Sequence, residues 1–86
     1  MGKEQLIMGD KSLVFTRHAR RRMQLYNIPQ YFISNLLEEE IILGQLGKQV
    51  IVKSVKGTQY PIKIVFEVRE KDIIIITVYP LKRGAQ

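Results

Sequence analysis

The residue types that could do chemistry in this chain are concentrated in Thr16-Arg17-His18-Ala19-Arg20-Arg21-Arg22-Met23-Gln24-Leu25-Tyr26. The stretch holds the single histidine, and four arginines fall within six positions. An imidazole titrates near physiological pH and can give or take a proton. A guanidinium grips a phosphate through two parallel hydrogen bonds and stabilises the negative charge that grows in a transition state. One chemistry open to histidine with arginine is the cutting of RNA without a metal. In that reaction the neighbouring 2′-hydroxyl attacks, a base removes its proton, an acid protonates the leaving oxygen and cations hold the phosphate. On this reading His18 is the candidate base or acid and Arg22 the phosphate clamp, and Tyr79 donates to an oxygen or stacks on a base. Arg17, Arg20, Arg21, Lys82 and Arg83 form the surrounding nucleic-acid-binding surface.

Plainer roles compete for each of these residues. A lone histidine beside an apolar stripe often only hydrogen-bonds the fold, and Arg22 could anchor its helix to Glu67. Tyr79 could be a half-buried strand aromatic. The arginines could be a solvated face, or could be neutralised by Glu38-Glu39-Glu40 at the far end of the second helix. Surface pairs of that kind contribute only ~0–1 kcal/mol.

The element that positions the stretch is an α-helix. Thr16 is a good N-cap, because its hydroxyl can accept from a free backbone N–H of the first turn. Steps of 100° place Ala19, Met23 and Tyr26 on one side and Arg17, Arg20, Arg21 and Gln24 on the other. His18 and Arg22, four apart, share an edge of the apolar stripe. The positive end of the helix dipole adds to Arg17 and His18, so a negative group is expected nearby, from a ligand, from this chain or from a partner.

At 86 residues the chain is read as one domain, with a core over about residues 13–80 and a basic tail at residues 81–86. It has no cysteine and one histidine, which argues against thiolate or multi-histidine metal sites, and no cofactor is expected. Fourteen Lys and Arg against eight Asp and Glu give +6, a balance suited to an anionic partner. No apolar run approaches the ~20 residues of a membrane span, and Met1-Gly2-Lys3-Glu4-Gln5 lacks the apolar core of a signal peptide. A cytoplasmic protein is therefore expected.

Along the chain, Leu6-Ile7-Met8 is a candidate short strand before a Gly9-Asp10 turn. Leu13-Val14-Phe15 reads as an edge strand feeding the helix. Asn27-Ile28-Pro29 separates the first helix from a second one carrying Phe32, Ile33, Leu36 and Leu37. Ile41-Ile42-Leu43 fits either helix or strand. Lys48 to Val55 is a strand, Lys56-Gly57-Thr58-Gln59 a turn, and Tyr60 to Val68 a strand with Ile62, Ile64, Phe66 and Val68 on one face. After an Arg69-Glu70-Lys71-Asp72 turn, Ile73 to Tyr79 is apolar on both faces and belongs at the centre of the sheet. The expected class is α+β, with two N-terminal helices packed on one face of an antiparallel β-sheet meander. The second sheet face then needs cover, from the N-terminal segment or from another copy of the chain in a homodimer.

His18-Ala19-Arg20-Arg21-Arg22-Met23 matches an H-A-x-x-R-M helix opening, and Ile74-Ile75-Ile76-Thr77-Val78-Tyr79 matches a closing hydrophobic-T-V-Y strand. Together they resemble a family of small uncharacterised prokaryotic domains, related to the BrnT-type toxins and more loosely to the RelE/ParE toxin superfamily. The family often carries a basic residue and a glycine where this chain has Tyr26 and Asn27. The resemblance implies a two-helix, antiparallel-sheet fold and a type II toxin-like, metal-independent ribonuclease acting on RNA such as mRNA. It also implies an acidic antitoxin protein as partner. A non-catalytic RNA- or DNA-binding module and a protein-interaction domain are the alternatives on the same fold.

Overall fold

The computed structural model describes residues 7–40, 44–54, 57 and 59–81. In chain order these form β1 (Ile7–Met8), β2 (Lys11–Phe15), α1 (Arg17–Leu25), α2 (Gln30–Glu40), β3 (Gly47–Lys53), β4 (Ile62–Val68) and β5 (Asp72–Pro80). Leu6, Ile41 to Leu43, Val55, Lys56, Thr58 and the tail residues Lys82 and Arg83 lie outside the described residues, and so do the expectations placed on them.

The class is α+β, and the five strands form one sheet in the order β1-β2-β5-β4-β3. The strands β3, β4 and β5 make the expected antiparallel meander, and β5 is central. Two expectations need correction. The stretch Leu13-Val14-Phe15 is not an edge strand: it lies inside the sheet, with β1 beyond it. The sheet is also not purely antiparallel, because β2 runs parallel to β5, with Leu13 opposite Ile73 and Phe15 opposite Ile75. Consequently two strands precede the helices. The physical reason lies in β5. Its apolar run needs a hydrogen-bonding neighbour on each side, and β4 supplies only one. A parallel partner needs a long crossover, which α1, α2 and the β3–β4 pair provide.

The core follows the period of each element. Ile62, Ile64, Phe66 and Val68 of β4 are at most 3% exposed, and they join Ile73, Ile75 and Val78 of β5 in one buried cluster. The same cluster takes Ala19 and Met23 from α1 and Ile33, Leu36 and Leu37 from α2. The other sheet face leaves Val14, Val50 and Val52 exposed.

Two devices fix α1. At its start, Thr16 Oγ1 accepts from the Ala19 N–H at 3.0 Å and donates to the Ile76 carbonyl at 3.1 Å. That carbonyl is reachable because β5 is bulged. Thr77 pairs with Val65 and Ile75 with Phe66, so Ile76 is the extra residue. At its end, Asn27 takes φ 57°, its N–H reaches the Gln24 carbonyl, and the Ile28 N–H reaches the Met23 carbonyl. This is a Schellman close with asparagine in the left-handed position that glycine more often fills. Elsewhere, the buried Lys11 ammonium donates to the Arg69 and Glu70 carbonyls, tying β2 to the β4–β5 turn.

Because one hydroxyl serves both α1 and β5, Thr16→Val is expected to cost ~1–2 kcal/mol. For a domain of this size that lowers the Tm by roughly 4–8 °C per kcal/mol, whereas Thr16→Ser retains most of the stability. Thermal melts of the three proteins check this.

Candidate nucleic-acid interface

The helical period sorts the arginines of α1. Ala19 and Met23 are buried and Tyr26 packs against the core. Arg17, Arg20, Arg21 and Gln24 are therefore turned outward, and all four are exposed. Their side of α1 faces an open groove of about 580 Å³, lined by Arg17, Arg20, Arg21, Gln24, Asn27 and Gln30 among others. Gln30 opens α2, so the positive end of a second helix dipole borders the same space. Neither helix has an acidic residue in its first turn.

The electrostatics are lopsided. Among the described residues, no ion pair involves Arg17, Arg20, Arg21 or Arg22. Of the acidic run, Glu39 meets Lys53 of β3, at 3.3 Å, and not an arginine of α1. Glu67 does not pair with Arg22 either. The groove therefore carries three guanidinium groups with no internal counter-charge among the described residues. Such a surface attracts a polyanion and gives up its own counterions when it binds one.

The proposed catalytic trio is only partly assembled. His18 and Arg22 sit one turn apart on α1, exposed and half-buried respectively. No described residue hydrogen-bonds either side chain, so neither is sealed inside the fold. They do not line the arginine groove, which lies round the helix from them. Tyr79 is elsewhere. It pairs with Lys63 across to β4, on positions that alternate with the core, and the Lys63 ammonium lies 5.8 Å from its ring centre. The bulge decides this. Continued alternation from Ile73 and Ile75 would have put residue 79 on the core face, but the extra residue reverses the parity, burying Val78 and turning Tyr79 away.

Asn27 and Gln30 were not among the residues expected at the interface. The signal for them was the helix period itself, since a stripe through Arg17, Arg20 or Arg21, and Gln24 arrives next at the helix close and the start of α2. No group of three or more metal-binding side chains occurs among the described residues. None of the described helices is long and apolar enough to cross a membrane.

A family model described as Domain of unknown function (DUF4258) matches residues 15–80. That span runs from the end of β2 to the end of β5 and includes the arginine helix. No curated protein and no solved structure matches the chain.

The exposed arginine at the start of α1 opposes the helix dipole and has no ion-pair partner among the described residues. Arg17→Glu is therefore expected to stabilise the protein, by ~0.3–1 kcal/mol at low salt. The gain should shrink as salt is added, and urea denaturation at two ionic strengths measures both effects.

Proposed function

The chain belongs to the DUF4258 family, a name that carries no activity, and we propose that it is an RNA-binding domain whose α1 arginines hold the phosphodiester backbone. One observation carries this reading: the open groove presents Arg17, Arg20 and Arg21 with no carboxylate paired to them among the described residues. Arginine spends its charge on phosphate more effectively than lysine because its planar fork matches two oxygens at once.

Binding should weaken steeply with salt. For a single strand, log K falls with log salt at about −0.7 per neutralised phosphate, so three arginines give a slope of roughly −2. Replacing Arg17, Arg20 and Arg21 together by Gln should abolish most of that slope and leave the thermal melt nearly unchanged. Fluorescence anisotropy with RNA over a salt series makes the test. No binding by the wild type at low salt would sink the reading.

Cleavage is the more demanding form of the same function, and the placing of an exposed His18 and a half-buried Arg22 one turn apart on α1 supports it. The His18 imidazole would take the 2′-hydroxyl proton. The freed oxygen would attack phosphorus and displace the 5′-oxygen, which takes a proton from water, while Arg22 holds the non-bridging oxygens. Tyr79, turned to the other sheet face, has no place in this step. Induced expression of the wild type and of His18→Ala, with growth and total RNA followed together, separates the two forms. Cleavage predicts arrest and RNA loss with the wild type only. Equal growth with intact RNA removes the enzyme and leaves the binder.

The RelE/BrnT-like toxin relationship, with both helices on one sheet face, belongs to this proposal, as does a cytoplasmic setting. An acidic antitoxin would compete with RNA for the arginine groove. A homodimer would use the other sheet face, where Val14, Val50 and Val52 are exposed.

A further inference from the structure

Beside the arginine groove lies a second depression, of about 260 Å³, walled by Tyr26, Phe32, Tyr60, Ile62 and Pro80. The two spaces share the segment Asn27-Ile28-Pro29 as a common wall. One side of that segment is cationic and the other is aromatic. We propose that the aromatic depression receives one unstacked base of a single-stranded RNA whose phosphates cross the Asn27–Pro29 segment to Arg20 and Arg21. The inference rests on the RNA-binding reading and adds to it the form of RNA and the place of a base.

Size and chemistry point the same way. Small-molecule pockets run to ~300–1,000 Å³, so this space suits a single planar ring system rather than a whole nucleotide. Tyr26 and Phe32 pack against the core yet stay half-exposed. Their rings are thus held in place by the fold with part of their surface still open to a ligand. Aromatic surfaces hold unpaired bases by stacking, with little regard to sequence. Gln59, exposed at the rim, offers a side-chain amide that both donates and accepts towards a base edge. A duplex keeps its bases stacked inside and cannot fill the depression, whereas a single strand can turn one out.

The test compares a short single-stranded RNA, the single-stranded DNA of the same sequence and a blunt RNA duplex, each by fluorescence anisotropy at fixed salt. The wild type should prefer the RNA single strand over the duplex. Tyr60→Leu should weaken single-strand binding about tenfold, the usual scale for losing one stacked base. The same variant should keep the salt slope and leave duplex binding as it was. Arg20→Gln with Arg21→Gln should weaken every nucleic acid and flatten the slope. A second readout avoids mutation: methyl NMR of the wild-type protein should show the Ile62 resonance moving as single-stranded RNA is added, through the ring current of the seated base.

If the arginine variant weakens binding but Tyr60→Leu does not, or weakens single strand and duplex alike, the base site is wrong and the arginine groove stands. An Ile62 methyl that stays still while RNA binds has the same meaning. Equal binding of single-stranded DNA and RNA overturns the assignment to RNA. Failure of all three nucleic acids to bind removes the base site and the RNA-binding reading together.

Discussion

The structure depends on one hydroxyl. Thr16 is where β2 stops pairing with β5 and where α1 begins, and its Oγ1 joins the two by accepting from Ala19 and donating to Ile76. The Thr16 N–H adds a bond to the Ile75 carbonyl. An isolated nine-residue helix is unstable in water, and α1, spanning Arg17–Leu25, carries an unfavourable run of positive charge at its positive end. It persists because its first turn is fastened to the central strand, its last turn is closed through Asn27, and Ala19 and Met23 are buried between them. The bulge in β5 is part of the same arrangement. It frees the Ile76 carbonyl for Thr16 and reverses which side chains of the strand face the core.

The arrangement of charge is the second theme. This chain has an acidic run and an arginine run, and among the described residues neither Glu38 nor Glu39 pairs with an arginine of α1. Glu39 is spent on Lys53 at the sheet edge, and Asp72 on Arg69 within the β4–β5 turn. These exposed pairs do little for stability. Neither carboxylate lines the groove. Unmatched like charge on one face lowers stability slightly.

Local pattern was easy to read and long-range placement was not. The 3.6-residue period separated Ala19 and Met23 from Arg17, Arg20 and Arg21. The two-residue period found the core face of β4, and Thr16 was recognisable as a cap. The parallel pairing of β2 with β5 left no mark, since a short run such as Leu13-Val14-Phe15 looks the same at an edge as inside a sheet. The bulge was equally silent, and it is what separates Tyr79 from His18 and Arg22, residues that looked like one site in a linear reading. Asparagine tolerates the left-handed conformation, and Asn27 adopts it where α1 closes.

The contact that secures α1 joins positions 60 apart in sequence, and the Lys11 link to Arg69 spans 58. Non-local contacts of this kind form late, because the intervening chain must first be ordered. During synthesis the arginine helix therefore leaves the ribosome long before the strand that anchors it. Until Ile76 has been added, the first turn has its local Thr16 cap but not the bond that ties that cap to β5. The anchored cationic groove is accordingly a property of a chain that includes β5, and a nascent chain ending before β5 has the charge without that anchor.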